Sequence, residues 1–160
     1  MVNKKALILI CLFILSVSSL GCSETKPRTE PLEKKTYTGY ISIDGNKLKL
    51  DDFEFITADD TQKIKELGLT ESDMPDGYYI QNTSEEVKTF ILDDQTSYTF
   101  FDVGNLFVKE EDDKKYTTTS QDEFKTFLYG EKDGDDPRRT PFEVEVSAEK
   151  VISIQEIFVN

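Results

Sequence analysis

The 160-residue chain contains no histidine and only two cysteines, Cys11 and Cys22. Histidine is the commonest metal ligand and the usual general base near neutral pH. Its absence excludes Ser-His-Asp and Cys-His catalysis, and with so few thiols it excludes typical zinc and copper sites. Any metal would have to be a hard, oxygen-bound cation such as calcium. Basic residues are also scarce, with 19 Lys and Arg against 32 Asp and Glu and a formal net charge of −13. Such a surface repels phosphate backbones, so nucleic acid is not the expected partner. A long apolar run is missing too. The one apolar segment, Ala6 to Leu15, falls well short of the roughly 20 residues that a membrane-spanning helix needs.

That segment has a different meaning. Lys4 and Lys5 precede it, and a small-residue stretch, Ser16-Val17-Ser18-Ser19-Leu20-Gly21-Cys22, follows it. Positive start, short apolar core and small-residue exit are the three parts of a secretory signal. Ser19-Leu20-Gly21-Cys22 resembles the lipobox of bacterial lipoproteins, whose signals are cut just before a lipid-modified cysteine. The resemblance implies that residues 1–21 are removed, that Cys22 carries lipid, and that the chain sits on the outer face of the cell membrane. The short, lysine-bearing signal is similar to those of Gram-positive lipoproteins. Two or more acyl chains on one residue give stable anchoring. Cys11 falls in the discarded part, so the mature chain would hold no disulfide and would depend on packing. Loss of Lys4 and Lys5 with no acid takes the net charge from −13 to −15.

Residues 22–36 are polar, carry Pro27 and Pro31, and show no periodicity. They read as a tether of at most about 40 Å. Residues 37–160 read as one β-rich domain with order starting near Tyr37, a length that can bury a real core. Tyr40 to Ile43 and Lys47 to Leu50 alternate with period two about Asp44-Gly45-Asn46, predicting a hairpin with Ile41, Ile43, Leu48 and Leu50 inward. The parity flip to Phe53 and Phe55 predicts a bulge. Thr57 is the expected cap of a short helix with Ile64 and Leu67 inward, ended by Gly68. Met74-Pro75-Asp76-Gly77 predicts a turn into a strand at Tyr78. Val87 to Leu92 and Tyr98 to Val103 predict a hairpin, with Leu106 to Val108 a further strand. Ser120 and Glu123 form a capping box for a helix presenting Phe124, Phe127 and Leu128 and stopping at Gly130. Phe142 to Val146 and Val151 to Val159 predict a closing hairpin. No internal repeat is present.

The implied fold is α+β and mainly antiparallel. It is a small, partly open OB-like barrel or a strongly curved sheet, with two short helices and bulges near Asp51 and Gln155. The OB-like reading is a resemblance of topology, with a helix between the third and fourth strands of a small barrel and the helix near residue 60 as an insertion.

Chemistry-bearing motifs are few. Asp133, Asp135 and Asp136 lie in an acid-rich loop, but with Gly134 at position 6 of an EF-hand, positions 1 and 12 would be Tyr129 and Thr140. That pattern fails. These aspartates remain candidates for another calcium site, set against a solvated loop balanced by Arg138 and Arg139. Glu110 to Asp113, followed by Lys114 and Lys115, reads as a solvated turn. Ser147-Ala148-Glu149-Lys150 spells S-x-x-K but falls in a predicted hairpin turn, where a helix would be needed. Tyr78 and Tyr79 point to opposite faces of a strand, so at least one reaches the surface, and both are candidate binding residues. The sequence therefore favours a lipid-anchored, non-enzymatic binding domain without cofactor. Its partner would be an envelope protein or peptide, cationic if net charge decides. A calcium-responsive module and a small carboxylate-dependent hydrolase are the alternatives.

Overall fold

Alternating apolar residues and a two-residue turn begin the fold. In the computed structural model, which describes residues 33–130 and 137–159, strands β1 (Lys34–Asp44) and β2 (Lys47–Asp52) pair antiparallel from Asp44↔Lys47 to Gly39↔Asp52. Gly45 takes the φ of 60° that the tight connection requires. β1 starts three residues before Tyr37, because its first half has a second partner. Lys34 to Gly39 pair antiparallel with β8 (Phe142–Ser147). Gly39 belongs to both ladders, and there the strand passes from one neighbour to the other.

The remaining strands complete a partial ring. β2 pairs on its far side with β5 (Val87–Ile91), and β8 forms the predicted closing hairpin with β9 (Lys150–Glu156). Ala148 and Glu149, at φ 49° and 66°, make its turn. Ile91 pairs in parallel with Lys150, and its N–H donates to Glu149 O at 2.9 Å, so β5 touches β9 at one point. Beyond the ring, β9 pairs in parallel with β6 (Ser97–Phe101), and β6 pairs antiparallel with β7 (Lys115–Thr118). The fold is thus α+β and mainly antiparallel, a curved sheet with a partly ring-like strand arrangement. Counted in chain order, the ring strands follow each other as 1-2-3-5-4, with the longer helix between the third and fourth. The OB-like expectation rested on the second of these features, a helix before the last two strands.

Helix α2 (Gln121–Tyr129) fills the interior. Ser120 Oγ accepts from Glu123 N at 3.3 Å, and Phe124, Phe127 and Leu128 are buried as their spacing predicts. Glu123 turns its carboxylate to the Tyr116 hydroxyl at 3.1 Å, so only the serine half of the capping box is used. Phe100 stacks on Phe127 at 4.1 Å and Tyr98 on Phe124 at 4.6 Å between ring centroids. Leu48, Leu50, Phe142, Val144 and Ile154 are fully buried around them. Each such side chain contributes roughly 1.5–3 kcal/mol of burial. Both ends of α2 are tied to the β1–β2 turn. Gln121 Nε2 donates to Gly45 O at 2.6 Å, and the Tyr129 hydroxyl accepts from Ile43 N at 2.7 Å.

Several expectations fail for physical reasons. No bulge follows Asp51. The chain leaves the main sheet after Asp52 and enters a separate two-stranded sheet, β3 (Glu54–Thr57) with β4 (Tyr78–Gln81). The closing hairpin does carry an irregularity close to the expected place: Glu145 pairs with Ser153 and Val146 with Val151, so Ile152 of β9 is the extra residue, a few positions before Gln155. Thr57 does not cap α1 (Thr61–Leu67). Asp60 folds back to accept from Thr57 N and Oγ1, which starts the helix later, and Leu67 faces solvent at 37% exposure. Gly68 ends α1 at φ 66°, as expected. β5 and β6 form no hairpin with each other, because β9 lies between them. Thr96 is fully buried at the bend and its hydroxyl donates to Val151 O at 3.0 Å, which carries the chain over the end of β9. Leu106 to Val108 are loop, and the strand in this region is β7, at residues that the charged run disguised.

Gly39 is the position at which this arrangement is most sensitive. A Cβ there would collide with the backbone O of Asp51 and lie 2.7 Å from Leu50 Cδ1. Backbone in a ladder cannot give way as a side-chain tip can. Gly39→Ala is expected to cost about 2–3 kcal/mol, read as a lowered midpoint in urea with an unchanged slope.

Candidate functional site

The outer face of β1, β2 and β5 carries the residues that alternate with the core set. Tyr40 and Ser42 lie opposite Asp51 and Lys49, and Val87 lies opposite Asp51 on the next strand. The segment from Pro137 to Arg139 lies over this face. Arg138 N–H donates to Leu128 O at 2.8 Å, which pins the segment to the end of α2. Together these walls enclose a groove of about 640 Å³ lined by Tyr40, Ser42, Lys49, Asp51, Val87 and Pro137 to Arg139. Its floor is strand, and its overhang is held by a backbone bond.

Each polar group in the groove has a definite arrangement. The Arg138 guanidinium lies 4.8 Å from the Phe127 ring centroid and that of Arg139 lies 5.8 Å from Tyr40. Cation–ring contacts of this kind attract a guanidinium to the aromatic face. Lys49 pairs with Asp44 at 3.0 Å on the exposed surface, a contact worth about 0–1 kcal/mol. Asp51 accepts from the Asn82 amide at 3.1 and 3.2 Å. Tyr40 is braced edge-on by Phe53 at 4.8 Å. Chemically, the groove offers guanidinium donors, one carboxylate, an aromatic face and an exposed valine.

Two other acids are conspicuous but structural. Asp102 is 1% exposed. Its two oxygens accept from Leu106 N at 2.9 Å, Phe107 N at 2.6 Å and Val108 N at 2.9 Å, closing the loop after β6. Burial pushes its pKa up, but these three donors and Lys114 outweigh that and leave it lowered. Burial raises the pKa of Glu156, opposed by bonds from Phe101 N and the Thr140 hydroxyl and by the field of Arg138. The carboxylate of Glu156 takes Phe101 N at 2.7 Å, where the β6–β9 ladder has ended. The hydroxyl of Tyr98, fully buried, has no hydrogen-bond partner among the described residues, and burial raises its pKa to about 12.

The residues singled out by sequence are distributed differently. Cys22, Asp133, Asp135 and Asp136 lie outside the described residues. Tyr78 and Tyr79 are both half-buried on β4, away from the groove, with Tyr78 stacked on Phe55 at 5.0 Å. Glu110 to Asp113 are exposed. Ser147 and Lys150 face each other across the β8–β9 turn, and Lys150 pairs with Asp93 at 3.1 Å. Among the described residues, no group of three or more acid or cysteine side chains is placed to hold a metal ion, and no helix is long and apolar enough to cross a membrane. Sequence reasoning missed the groove. Its one available signal was the even-numbered polar face of β1, Tyr40 and Ser42, opposite the odd-numbered charges of β2.

Comparison with known proteins adds no relative: no protein family, curated protein or solved structure matches the chain.

The sign of the Asp102 effect follows from its lowered pKa. Its contribution is full above the unfolded aspartate value and is lost as pH falls through the folded value. Asparagine offers one acceptor oxygen and sets an NH₂ against backbone donors. Asp102→Asn should therefore lose about 2–3 kcal/mol at pH 7 and show a smaller difference from wild type in acid, measured by urea unfolding across that range.

Proposed function

We propose that this chain is a lipid-anchored, extracytoplasmic binding protein of a bacterial cell envelope. In this reading Cys22 bears the lipid, the residues after it form a tether, and the partly ring-like domain presents its groove to an envelope protein or peptide. The groove carries the binding half of the proposal. It joins a rigid strand floor to a pinned overhang and gathers donors and an aromatic face in one concavity, the usual form of a binding site. Ser19 to Cys22 and the preceding apolar run support the anchoring half. No chemistry is assigned to the domain, whose partner would be captured and held. Net charge favours a cationic partner at the acid-rich surface elsewhere, whereas the lining of the groove has the opposite balance.

One experiment in a lipoprotein-processing bacterium tests both halves. A photo-crosslinker is placed at Ser42 or Val87 in the groove, or at Thr117 on β7, in wild-type and Cys22→Ser backgrounds. The expected result is a common crosslinked species from Ser42 and Val87, little from Thr117, and a membrane-bound, acylated chain only when Cys22 is present. Equal crosslinking from all three positions would contradict the groove. An unmodified, released wild type would contradict the anchor.

A further inference from the structure

Resting on that reading of the groove, we infer that its ligand is an acidic extended peptide segment of the partner, held by carboxylates on Arg138 and Arg139. The first ground is a local reversal of charge. The chain holds 32 acids to 19 bases, but the groove is lined by Arg138 and Arg139, with Lys49 already paired to Asp44, against Asp51 alone. The second is the state of those groups. Neither guanidinium has a carboxylate within ion-pair distance among the described residues, whereas Lys34, Lys49, Lys63, Lys88 and Lys150 each do. The arginines lie over Phe127 and Tyr40 instead, Arg138 acting on Glu156 only through its field, and a guanidinium is the side chain that takes a carboxylate in a bidentate contact. Asp51 keeps its charge, its oxygens accepting from the neutral Asn82 amide, so two guanidinium groups face one carboxylate. The third ground is apolar surface beside the cations. Val87 is 52% exposed at the rim, which fits a chain that alternates acidic and apolar side chains better than a simple anion.

The physics sets an unusual salt dependence. Net repulsion between an acidic protein and an acidic peptide acts at long range and is screened first, while the short arginine contacts are screened less. Affinity should hold or rise between roughly 20 and 150 mM salt, where a generally basic surface would lose it.

The test uses the processed, lipidated chain in non-ionic detergent and a blocked peptide alternating Glu and Val, with a Lys–Val peptide and inorganic polyphosphate as comparisons. The Glu–Val peptide should bind saturably, the Lys–Val peptide should not, and Arg138→Gln/Arg139→Gln should weaken binding by about tenfold or more. Arg138→Lys/Arg139→Lys, which keeps charge and loses the planar fork, should fall between. Thermal unfolding of each variant separates this from loss of fold. Binding indifferent to the arginines but abolished by Ser42→Trp would overturn the acidic ligand and leave the groove standing. Binding indifferent to both would overturn both. Binding of polyphosphate in place of the peptide, with the same arginine dependence, would reassign the site to a phosphate polymer and overturn the peptide. Glu131, Asp133, Asp135 and Asp136 precede the arginines in sequence. If the peptide binds only after those four are changed to amides, the arginines serve the chain's own loop and the proposal falls.

Discussion

One strand is shared between two walls, and the rest of the structure depends on it. β1 gives its first half to β8 and its second half to β2, changing partner at a residue that must lack a side chain. Had the strand stayed with one neighbour, β2 and β8 would belong to separate hairpins with no reason to curve together. Sharing forces both into one sheet, bends that sheet at Gly39, and brings β5 and β9 close enough to touch at Ile91 and Lys150. The interior so formed is closed by the aromatic face of α2. The opposite side of the same bend becomes the groove, so core and candidate site are two faces of one constraint.

Side-chain hydrogen bonds fix the parts that strands leave loose. Tyr129 and Gln121 tie α2 to the β1–β2 turn, Asp102 closes the loop beyond β6, and Glu156 satisfies the Phe101 N–H where its ladder stops. Each gives a side-chain partner to a backbone group outside the strand ladders. The Arg138 backbone bond to Leu128 extends this to the overhang of the groove. A site held in this way loses little freedom when a ligand enters, which favours affinity. The β3–β4 sheet and α1, whose helix buries no residue, lie outside this network.

Local chemistry was legible in the sequence where a short stretch determines its own shape. The β1–β2 and β8–β9 hairpins, the Ser120 cap, the stop at Gly68 and the inward phenylalanines of α2 all follow from period and turn residues. Partner choice was not legible. The four-residue bend at Asp93 to Thr96 has hairpin length, yet the buried Thr96 carries the chain across β9, and nothing local to residues 87–103 encodes that. β7 was hidden because Lys115 to Thr118 are polar and only half covered at the edge of the sheet. The groove was hidden for a similar reason. Its cations come from β2 and from residues nearly ninety positions later, and only the fold sets them over the same face. Net charge, an average over the whole chain, pointed to a cationic partner and gave no sign of the reversed balance within one concavity.

The central claim is that β1 is a single cooperative element joining both walls and supporting the groove. Native-state hydrogen exchange of the full-length chain tests it most directly, comparing hydrogen-bonded amides of β1 on either side of Gly39 with those of β3, β4 and α1. If the claim holds, both halves of β1 exchange only through global unfolding, with one common free energy, and the β3–β4–α1 unit opens at a lower one. Separate opening of Lys34 to Thr38 while Tyr40 to Ile43 remain protected would contradict it.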